Sequence, residues 1–154
     1  MTAKRSAGVK IHISASTPAT FDDTGYEALA DFTKIGEVTR ISGFGPRWNN
    51  ETHNPLEHDG TEYLKTNKDA GALTVEMALD TDDAGQIKVK AARDSASAIA
   101  SIRVEFPGGD DYYCQLVVNE FMPNPDTQSA KQTATMVGNV TCSSTGVGWV
   151  EALA

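Results

Sequence analysis

Two-residue alternation on both sides of a tight turn restricts the fold of this chain more than any other feature. Apolar residues occupy every second position of ASIRVEF, from Ile102 to Phe106, and again of DYYCQLVV, from Tyr112 to Val118. The intervening PGGD has the composition of a turn. Because successive side chains of a strand point to opposite faces, the segment predicts a β-hairpin with one apolar and one polar face.

The same alternation marks further strands before and after this hairpin. It occurs in GVKIHISAS near the N-terminus, in ALTVEMAL at residues 72–79 and in QTATMVGNVTC at residues 132–142. A short apolar stretch at 147–150 predicts a last strand. Since most of these segments follow one another through short turns, we expect a mainly β protein, an antiparallel β sandwich or barrel with one packed α-helix.

The helix is predicted in DTDDAGQIKVKAARDSASAI, residues 80–99. Asp83 is a candidate N-cap, and Gln86 follows three residues later as in a capping box. Small residues at helical spacing would let the helix lie close against a sheet. The residues that we expect on that face are Ala84, Ile87, Ala91, Ser95 and Ala98.

A long loop is predicted between the early strands, at about residues 44–70. Glycine, proline and asparagine are frequent from Ser42 to Gly71, and periodicity is weak. Loops of this length in compact domains are often functional or disordered. Its His53, Glu57 and His58 lack the HExxH spacing and a rigid scaffold, so a metal site is disfavoured. Trp48 is interpreted as an interface anchor rather than a core residue.

The charge and the absence of known motifs exclude several classes of function. A formal net charge of −8 is unfavourable for gripping nucleic acid, because affinity comes largely from lysine and arginine on phosphates. Phosphate-binding loop, nucleophile elbow and paired CxxC are absent from the sequence, so we expect no enzymatic activity, no metal and no cofactor. Neither a signal peptide nor a membrane-spanning stretch is recognisable. Cys114 and Cys142 are expected to be reduced thiols of a protein made in the cytoplasm, with a disulfide between them as the alternative.

The order of these elements resembles the major tail tube proteins of long-tailed, non-contractile (lambda-like) phages. The resemblance covers residues 8–150, and its most specific block runs from ALTVEMAL through the helix to DYYCQLVVNEF, residues 72–121. In that block a strand leads into a helix and then into a strand ending in Phe106-Pro107-Gly108-Gly109. An apolar strand and a threonine-rich strand follow. The resemblance implies a single tail tube domain over residues 1–154, without the extra C-terminal Ig-like domain of some members.

This resemblance implies a structural virion protein of the phage tail, made in the host bacterial cytoplasm. Such subunits form homohexameric rings that stack into a tube, and genomic DNA passes through the tube into the host without specific binding. The implied partners are further copies of the chain, the tape measure protein and the tail terminator or tip proteins, with no membrane. We expect the loop to stack against the next ring through Trp48, Asn50, Glu51, His53, Glu57, His58, Asp59 and Glu62. The polar strand residues that would suit a wet lumen are Ser101, Arg103, Glu105, Gln115 and Asn119.

Three alternatives remain open at the level of sequence. One is a related tube subunit, such as a type VI secretion ring protein or a tail terminator. Another is a small metal-dependent enzyme that uses His53, Glu57 and His58. The third is a β sandwich that binds carbohydrate or protein.

Overall fold

An eight-stranded antiparallel sheet forms the body of the molecule. The computed structural model describes residue 3 and residues 5–43, 45–125 and 131–154. The helices in this part of the chain are α1 (Asp23–Glu27) and α2 (Ala84–Asp94). The strands are β1 (Lys10–Ser14), β2 (Thr33–Lys34), β3 (Val38–Ser42), β4 (Arg47–His53), β5 (Glu62–Asp69), β6 (Ala72–Ala78), β7 (Ala100–Glu105), β8 (Asp111–Asn124), β9 (Thr133–Thr141) and β10 (Val150–Ala152).

The long strand β8 organises the sheet. The strand order is β2-β1-β7-β8-β9-β6-β3, with β10 also paired to β8. Residues 111–116 of β8 pair with β7, residues 115–124 pair with β9, and residues 111–113 pair with β10. Because β7 occupies one edge of β8, β9 and β10 lie end to end along the other edge. The prediction of a mainly β, antiparallel protein is confirmed.

The core lies on one face of this sheet and is enclosed by its curvature. Ile11 of β1, Ile102 of β7 and Val75 of β6 are fully buried members of one continuous apolar cluster. Strand β3 is last in the strand order, yet its Val38 lines the same groove as Val104 of β7. The sheet therefore bends over its own apolar face, an arrangement consistent with a β sandwich.

The predicted hairpin between β7 and β8 is present with its turn. The amide of Phe106 donates to the carbonyl oxygen of Asp110 at 2.9 Å, and the amide of Gly109 donates to the carbonyl oxygen of Phe106 at 3.0 Å. Gly109 has a φ of +93°, a conformation that side chains with a Cβ rarely adopt. The PGGD sequence thus closes a tight antiparallel pair.

Helix α2 begins where the capping signal predicts. The carboxylate of Asp83 accepts a hydrogen bond from the amide of Gln86 at 3.0 Å, which satisfies one of the free donors of the first turn. The helix lies very close to β2, because a Cβ at Gly85 would come within 2.3 Å of the carbonyl oxygen of Lys34. Only a glycine at this position permits that approach.

The face of α2 that packs on the sheet differs from the predicted one. Gly85, Gln86 and Val89 are buried, whereas Ala84, Ile87 and Ala91 are exposed. Ser95 and Ala98 follow the last helical residue, Asp94, so they do not extend the stripe. The prediction was wrong because helical spacing alone does not show which face finds partners on the sheet. The side chain of Gln86, predicted only as part of a capping box, accepts from the Asp80 amide and donates to the carbonyl oxygens of Gly36 and Ala78.

The segment predicted as an irregular loop is an extended hairpin. Strands β4 and β5 pair antiparallel in a separate two-stranded sheet, and the tip lies between His53 and Glu62. Phe44, where the predicted loop begins, lies outside the described residues. The prediction was wrong about the irregular backbone, since the segment forms two paired strands. It still projects between β3 and β6, and every residue of both strands is exposed.

Candidate assembly surface

Three glycines lie where the projecting hairpin connects to the large sheet. Gly43, Gly45 and Gly71 all have positive φ, between +78° and +110°. A Cβ at Gly71 would come within 2.7 Å of the Gly45 carbonyl oxygen, so the two chain segments cross closely at this point. The indole Nε1 of Trp149 donates to the carbonyl oxygen of Ala70 at 2.7 Å. The base of the hairpin is thereby fixed to the body, while its strands extend away.

A bulge in β5 arranges the side chains of the hairpin. Trp48 pairs with Lys68 and Asn50 pairs with Lys65, so two residues of β5 oppose the single residue Asn49. Those two residues are tied to Asn49 by side chains, since Thr66 Oγ1 donates to the Asn49 carbonyl oxygen and Asn49 Nδ2 donates to Asn67. The extra residue brings two lysines spaced by three positions onto the same face.

That face of the hairpin is aromatic and basic. Lys65 Nζ lies 5.6 Å and Lys68 Nζ lies 5.9 Å from the centroid of the Trp48 ring, within cation–π range. Tyr63 follows the same alternation two positions before Lys65 and is 69% exposed. Trp48 itself is 47% exposed. We call Trp48, Tyr63, Lys65 and Lys68 the aromatic-basic face.

The opposite face and the tip are mostly acidic. Glu51 pairs with Leu64, and His53 pairs with Glu62 beside the tip. His58 Nε2 lies 3.6 Å from Glu62 Oε1, with both side chains about half exposed. The tip residues Glu57 and Asp59 are exposed as well. The hairpin therefore presents two chemically different faces.

The structure does not bring the proposed metal ligands together. His53 ends β4, whereas Glu57 and His58 lie in the tip. Among residues 5–43, 45–125 and 131–154, no group of three or more histidine, cysteine, aspartate or glutamate side chains is placed to hold a metal ion.

No helix in the described part of the chain is long and apolar enough to cross a membrane.

Two of the residues expected to line a wet lumen are buried inside the subunit. Ser101 is 0% and Gln115 is 4% exposed, because the residues that follow β1 pass over this face of the sheet. Gln115 Nε2 donates to Tyr26 Oη at 3.2 Å and to Ser101 Oγ at 2.7 Å, and Ser101 Oγ donates to the Ser16 carbonyl oxygen. The prediction is therefore wrong for Ser101 and Gln115, whose hydrogen-bonding groups are satisfied within the chain.

The other three expected lumen residues are accessible to different degrees. Arg103 is half-buried and forms a salt bridge with Asp111, in which Nη2 lies 3.1 Å from Oδ2. Glu105 is half-buried and lies 3.2 Å from His12 Nε2. That hydrogen bond to His12 holds the pKa of Glu105 below its usual value. Asn119 is exposed at a bulge where β8 shifts its register with β9.

The two cysteines have different environments. Cys114 is fully buried in the apolar cluster, and burial raises the pKa of its thiol well above the usual value. Cys142 is exposed, and both are free thiols in the structure. The position of Cys114 fits its predicted place in an apolar strand face.

Sequence reasoning missed the residues that define the aromatic-basic face. Tyr63, Lys65 and Lys68 were not among the predicted stacking residues. The pattern of EYLK offered the signal, because Tyr63 and Lys65 are spaced as same-face residues of a strand. The bulge that aligns Lys68 with them has no such signature in the sequence.

The strand order of the large sheet ends at β2 and β3, each with a free edge among the described residues, and the three-residue β10 pairs only with β8. Strand β2 pairs only with β1, and β3 pairs only with β6. Open strand edges are templates for pairing with another chain unless they are covered. The edges at β2 and β3 are therefore candidate contact sites for neighbouring copies.

The fold is shared with subunits of tail-like particles. One match is a chain of the six-fold symmetrised baseplate of the anti-feeding prophage, with a TM-score of 0.66, 8% identity, and coverage of 92% of this chain and 93% of that one. A second is a chain in the C6-symmetric tail of an empty GTA particle, with a TM-score of 0.63, 11% identity and 99% of both chains covered. A third is a chain of the cap that terminates the anti-feeding prophage tube, with a TM-score of 0.57, 7% identity, and coverage of 100% of this chain and 95% of that one.

Sequence comparison adds no family. No protein-family model matches the chain, and no curated protein matches it significantly. At identities this low, the structural matches show a common fold, and they do not by themselves transfer a function.

Proposed function

We propose that this protein is a structural subunit of a phage tail, without enzymatic activity. In this proposal six copies form a ring, and the rings stack into a tube through which genomic DNA enters the host. The observation that carries it is the shared fold over nearly the whole of both chains, with subunits of a baseplate and a tail that have six-fold symmetry. The free edges of β2 and β3 support lateral pairing of subunits in a ring.

The hairpin β4–β5 is the proposed contact between successive rings. Its strands are exposed along their whole length, and they display Trp48, Tyr63 and Leu64 to solvent. Exposed aromatic side chains on a projecting element are typical anchors of protein interfaces. The residues predicted for stacking, from Trp48 to Glu62, lie on this hairpin or its tip.

The proposed passage of DNA agrees with the overall charge. A wall rich in lysine would hold each phosphate that it met, and affinity would increase with every contact. A chain with a net charge of −8 suits a conduit better than a DNA-binding surface. We propose Arg103, Glu105 and Asn119 as accessible residues for such a lining. The tape measure protein and terminator or tip proteins are the proposed partners inside the tube and at its ends.

The fold does not separate tails with a contractile sheath from tails without one. We propose a tail without a contractile sheath, because the strand–helix–strand block and its Phe106-Pro107-Gly108-Gly109 turn resemble those of non-contractile tail tube proteins. A sheath protein that co-purifies with tubes from producing cells would contradict this choice.

A tube-terminating subunit is the second candidate. The match to the anti-feeding prophage cap covers the whole of this chain and supports it. A terminator caps a tube made of another protein, whereas a tube subunit polymerises alone. Purified protein that forms single rings but no tubes at high concentration would favour the terminator.

A hairpin deletion tests the proposed stacking role. Residues 48–68 are replaced by Asn-Gly between Arg47 and Asp69, which are paired partners suited to a two-residue turn. We expect a folded monomer, seen by circular dichroism, that forms no tubes in negative-stain images. Tubes of normal length would show that stacking does not need the hairpin, and loss of folding would make the hairpin part of the core.

A point variant sharpens the same test. Trp48→Ala should shorten the tubes while changing the free energy of unfolding by less than about 0.5 kcal/mol, as for most surface substitutions. Ile99→Ala is the matched control, because Ile99 is also exposed but lies outside the hairpin. An equal loss of tubes in both variants would contradict a specific role for Trp48.

A further inference from the structure

One face of the hairpin and the far end of the sheet differ in charge. At one end, β3 finishes at Ser42 and β6 begins at Ala72, and the hairpin with its aromatic-basic face projects from between them. In the described residues, no carboxylate forms a salt bridge with Lys65 or Lys68. Both ammonium groups are held near the Trp48 ring, so part of their conformational freedom is already restricted.

Exposed carboxylates collect at the other end, where β6 finishes and α2 begins. The amide of Ala78 donates to the carbonyl oxygen of Glu37 at 2.9 Å, which places Glu37 beside the loop that carries Asp80 and Asp82. All three acids are exposed, and none forms a salt bridge with a described residue. Two lysines lie nearby: Lys131 precedes Gln132, whose carbonyl oxygen accepts from the Leu79 amide, and Lys90 lines the same groove as Asp80. We call Glu37, Asp80 and Asp82 the acidic end.

The two surfaces are separated by the length of the sheet. Ala72 pairs with Asn139 and Ala78 pairs with Thr133, so β6 runs from the hairpin end to the acidic end. A strand of this length spans about 20 Å at roughly 3.4 Å per residue. A contact between unlike ends of identical subunits is heterologous, and it repeats as an open stack when the ends point in opposite directions.

We propose that the aromatic-basic face of one copy docks on the acidic end of a second copy in the next ring. This inference rests on the proposed function and names the surface that receives the hairpin. Lys65 and Lys68 would meet Asp80, Asp82 and Glu37, and Trp48 would be covered at the centre of the contact. The aromatic-basic face and the acidic end carry opposite charges, which favours head-to-tail addition, whereas two acidic ends or two aromatic-basic faces would repel each other.

A nucleic acid is the less suitable occupant of the same face. Aromatic and basic side chains do bind single strands by stacking and charge. Here the hairpin strands and tip also carry Glu51, Glu57, Asp59, Glu62 and Asp69, against Arg47, Lys65 and Lys68. A polyanion laid along the hairpin would meet these carboxylates, whereas a local acidic patch on a second copy avoids them.

A charge-swap experiment tests this pairing. We expect K65E/K68E and D80K/D82K each to lower the extent of stacking about tenfold or more, because like charges would face each other. An equal mixture of the two variants should restore stacks, since the hairpin of each variant then meets an oppositely charged end of the other. A chain with all four substitutions should stack alone. Sedimentation velocity and negative-stain images measure the stacks.

The controls separate this pairing from general charge effects and from the proposed function. Arg5→Glu with Lys10→Glu changes the net charge by the same amount as K65E/K68E, at exposed sites that belong to neither surface, and should leave stacking unchanged. Normal stacking of K65E/K68E overturns the pairing but not the proposed function. Failure of both the mixture and the fourfold variant to form stacks has the same meaning. Wild-type protein that stays monomeric at every concentration overturns the proposed function as well. Binding of a single-stranded oligonucleotide that K65E/K68E abolishes would assign the face to nucleic acid and overturn the pairing.

Discussion

Two polar β surfaces of this molecule have opposite environments. The polar face of β1, β7 and β8 is covered by the residues that follow β1, so that Ser101 and Gln115 are buried. The hairpin β4–β5 is exposed on both faces, although it carries Trp48 and Tyr63. Polarity alone therefore does not decide exposure. A polar face is buried where the chain returns over it with matching hydrogen-bond partners.

This difference separates the part of the molecule that stabilises the monomer from the part that is free to associate. The body contains the continuous apolar cluster and the buried polar network. The hairpin contributes exposed side chains and is fixed mainly at its base. We expect substitutions in the body to change the free energy of unfolding and substitutions in the hairpin to change association.

The largest effect is expected in the apolar core. Ile102→Ala should lower the free energy of unfolding by about 2–5 kcal/mol, because loss of the fully buried side chain leaves a cavity in the apolar cluster. Leu64→Ala in the hairpin is the matched control and should change it by less than about 0.5 kcal/mol. Urea denaturation followed by circular dichroism measures both. Equal losses would mean that the hairpin is packed as tightly as the body.

A smaller effect is expected in the buried polar network. Gln115→Leu removes the donor to Tyr26 Oη and Ser101 Oγ, and leaving such groups without a partner costs about 1–3 kcal/mol. Asn119→Leu, on the same strand but exposed, should cost less than about 0.5 kcal/mol. Wild-type stability in Gln115→Leu would show that other contacts hold the segment after β1 on the polar face of the sheet. Thermal unfolding at neutral pH provides the comparison.

The smallest effect is expected at Asp31, in the segment after β1 that passes over the polar face of the sheet, and it depends on pH. Hydrogen bonds from Ser14 Oγ, at 2.5 Å, and from Ser16 Oγ hold the pKa of Asp31 below its usual value of 3.8. A lowered pKa stabilises the fold above that usual value, and the contribution is lost as the pH falls through the lowered pKa. Asp31→Asn should therefore flatten the acid side of the stability profile by less than about 1 kcal/mol, since the carboxylate is partly exposed.

The control for this profile is Asp59→Asn in the exposed tip of the hairpin, which should leave the acid side unchanged. Urea midpoints measured between about pH 5 and pH 2 cover the range in which a lowered carboxyl pKa acts. If the urea midpoint falls with pH at the same slope in wild type and in Asp31→Asn, the Asp31 carboxylate does not help to hold the segment after β1 on the sheet.

The sequence predicted the strands whose period is undisturbed. Ile102 and Val104 alternate cleanly, and both lie in the core. The PGGD turn and the Asp83 cap are local signals, and both are present because short-range hydrogen bonds determine them. The mainly β, antiparallel fold follows from these elements.

Long-range contacts explain what could not be predicted. Gln86 is buried because backbone groups of Gly36 and Ala78, far apart in the sequence, meet at its amide. Ser101 and Gln115 are buried because Tyr26 lies over them. In the hairpin, the β5 bulge interrupts the alternation, so that the pattern around Lys65 and Lys68 resembles a loop. In each case, a partner distant in the chain or a shift of register decides the outcome.

The pairing of β1 with β7 has a consequence for the order in which the chain folds. His12 and Glu105 are hydrogen-bonded across a separation of 93 residues. During synthesis β1 must wait for β7, and β6 must wait for β9, whereas the hairpin β4–β5 needs only its own residues. Folding dominated by such distant pairings is slow, and unpaired strands are prone to aggregate meanwhile. A nascent chain therefore has its sheet edges exposed until the last strands emerge, and that interval makes yield sensitive to the rate of synthesis.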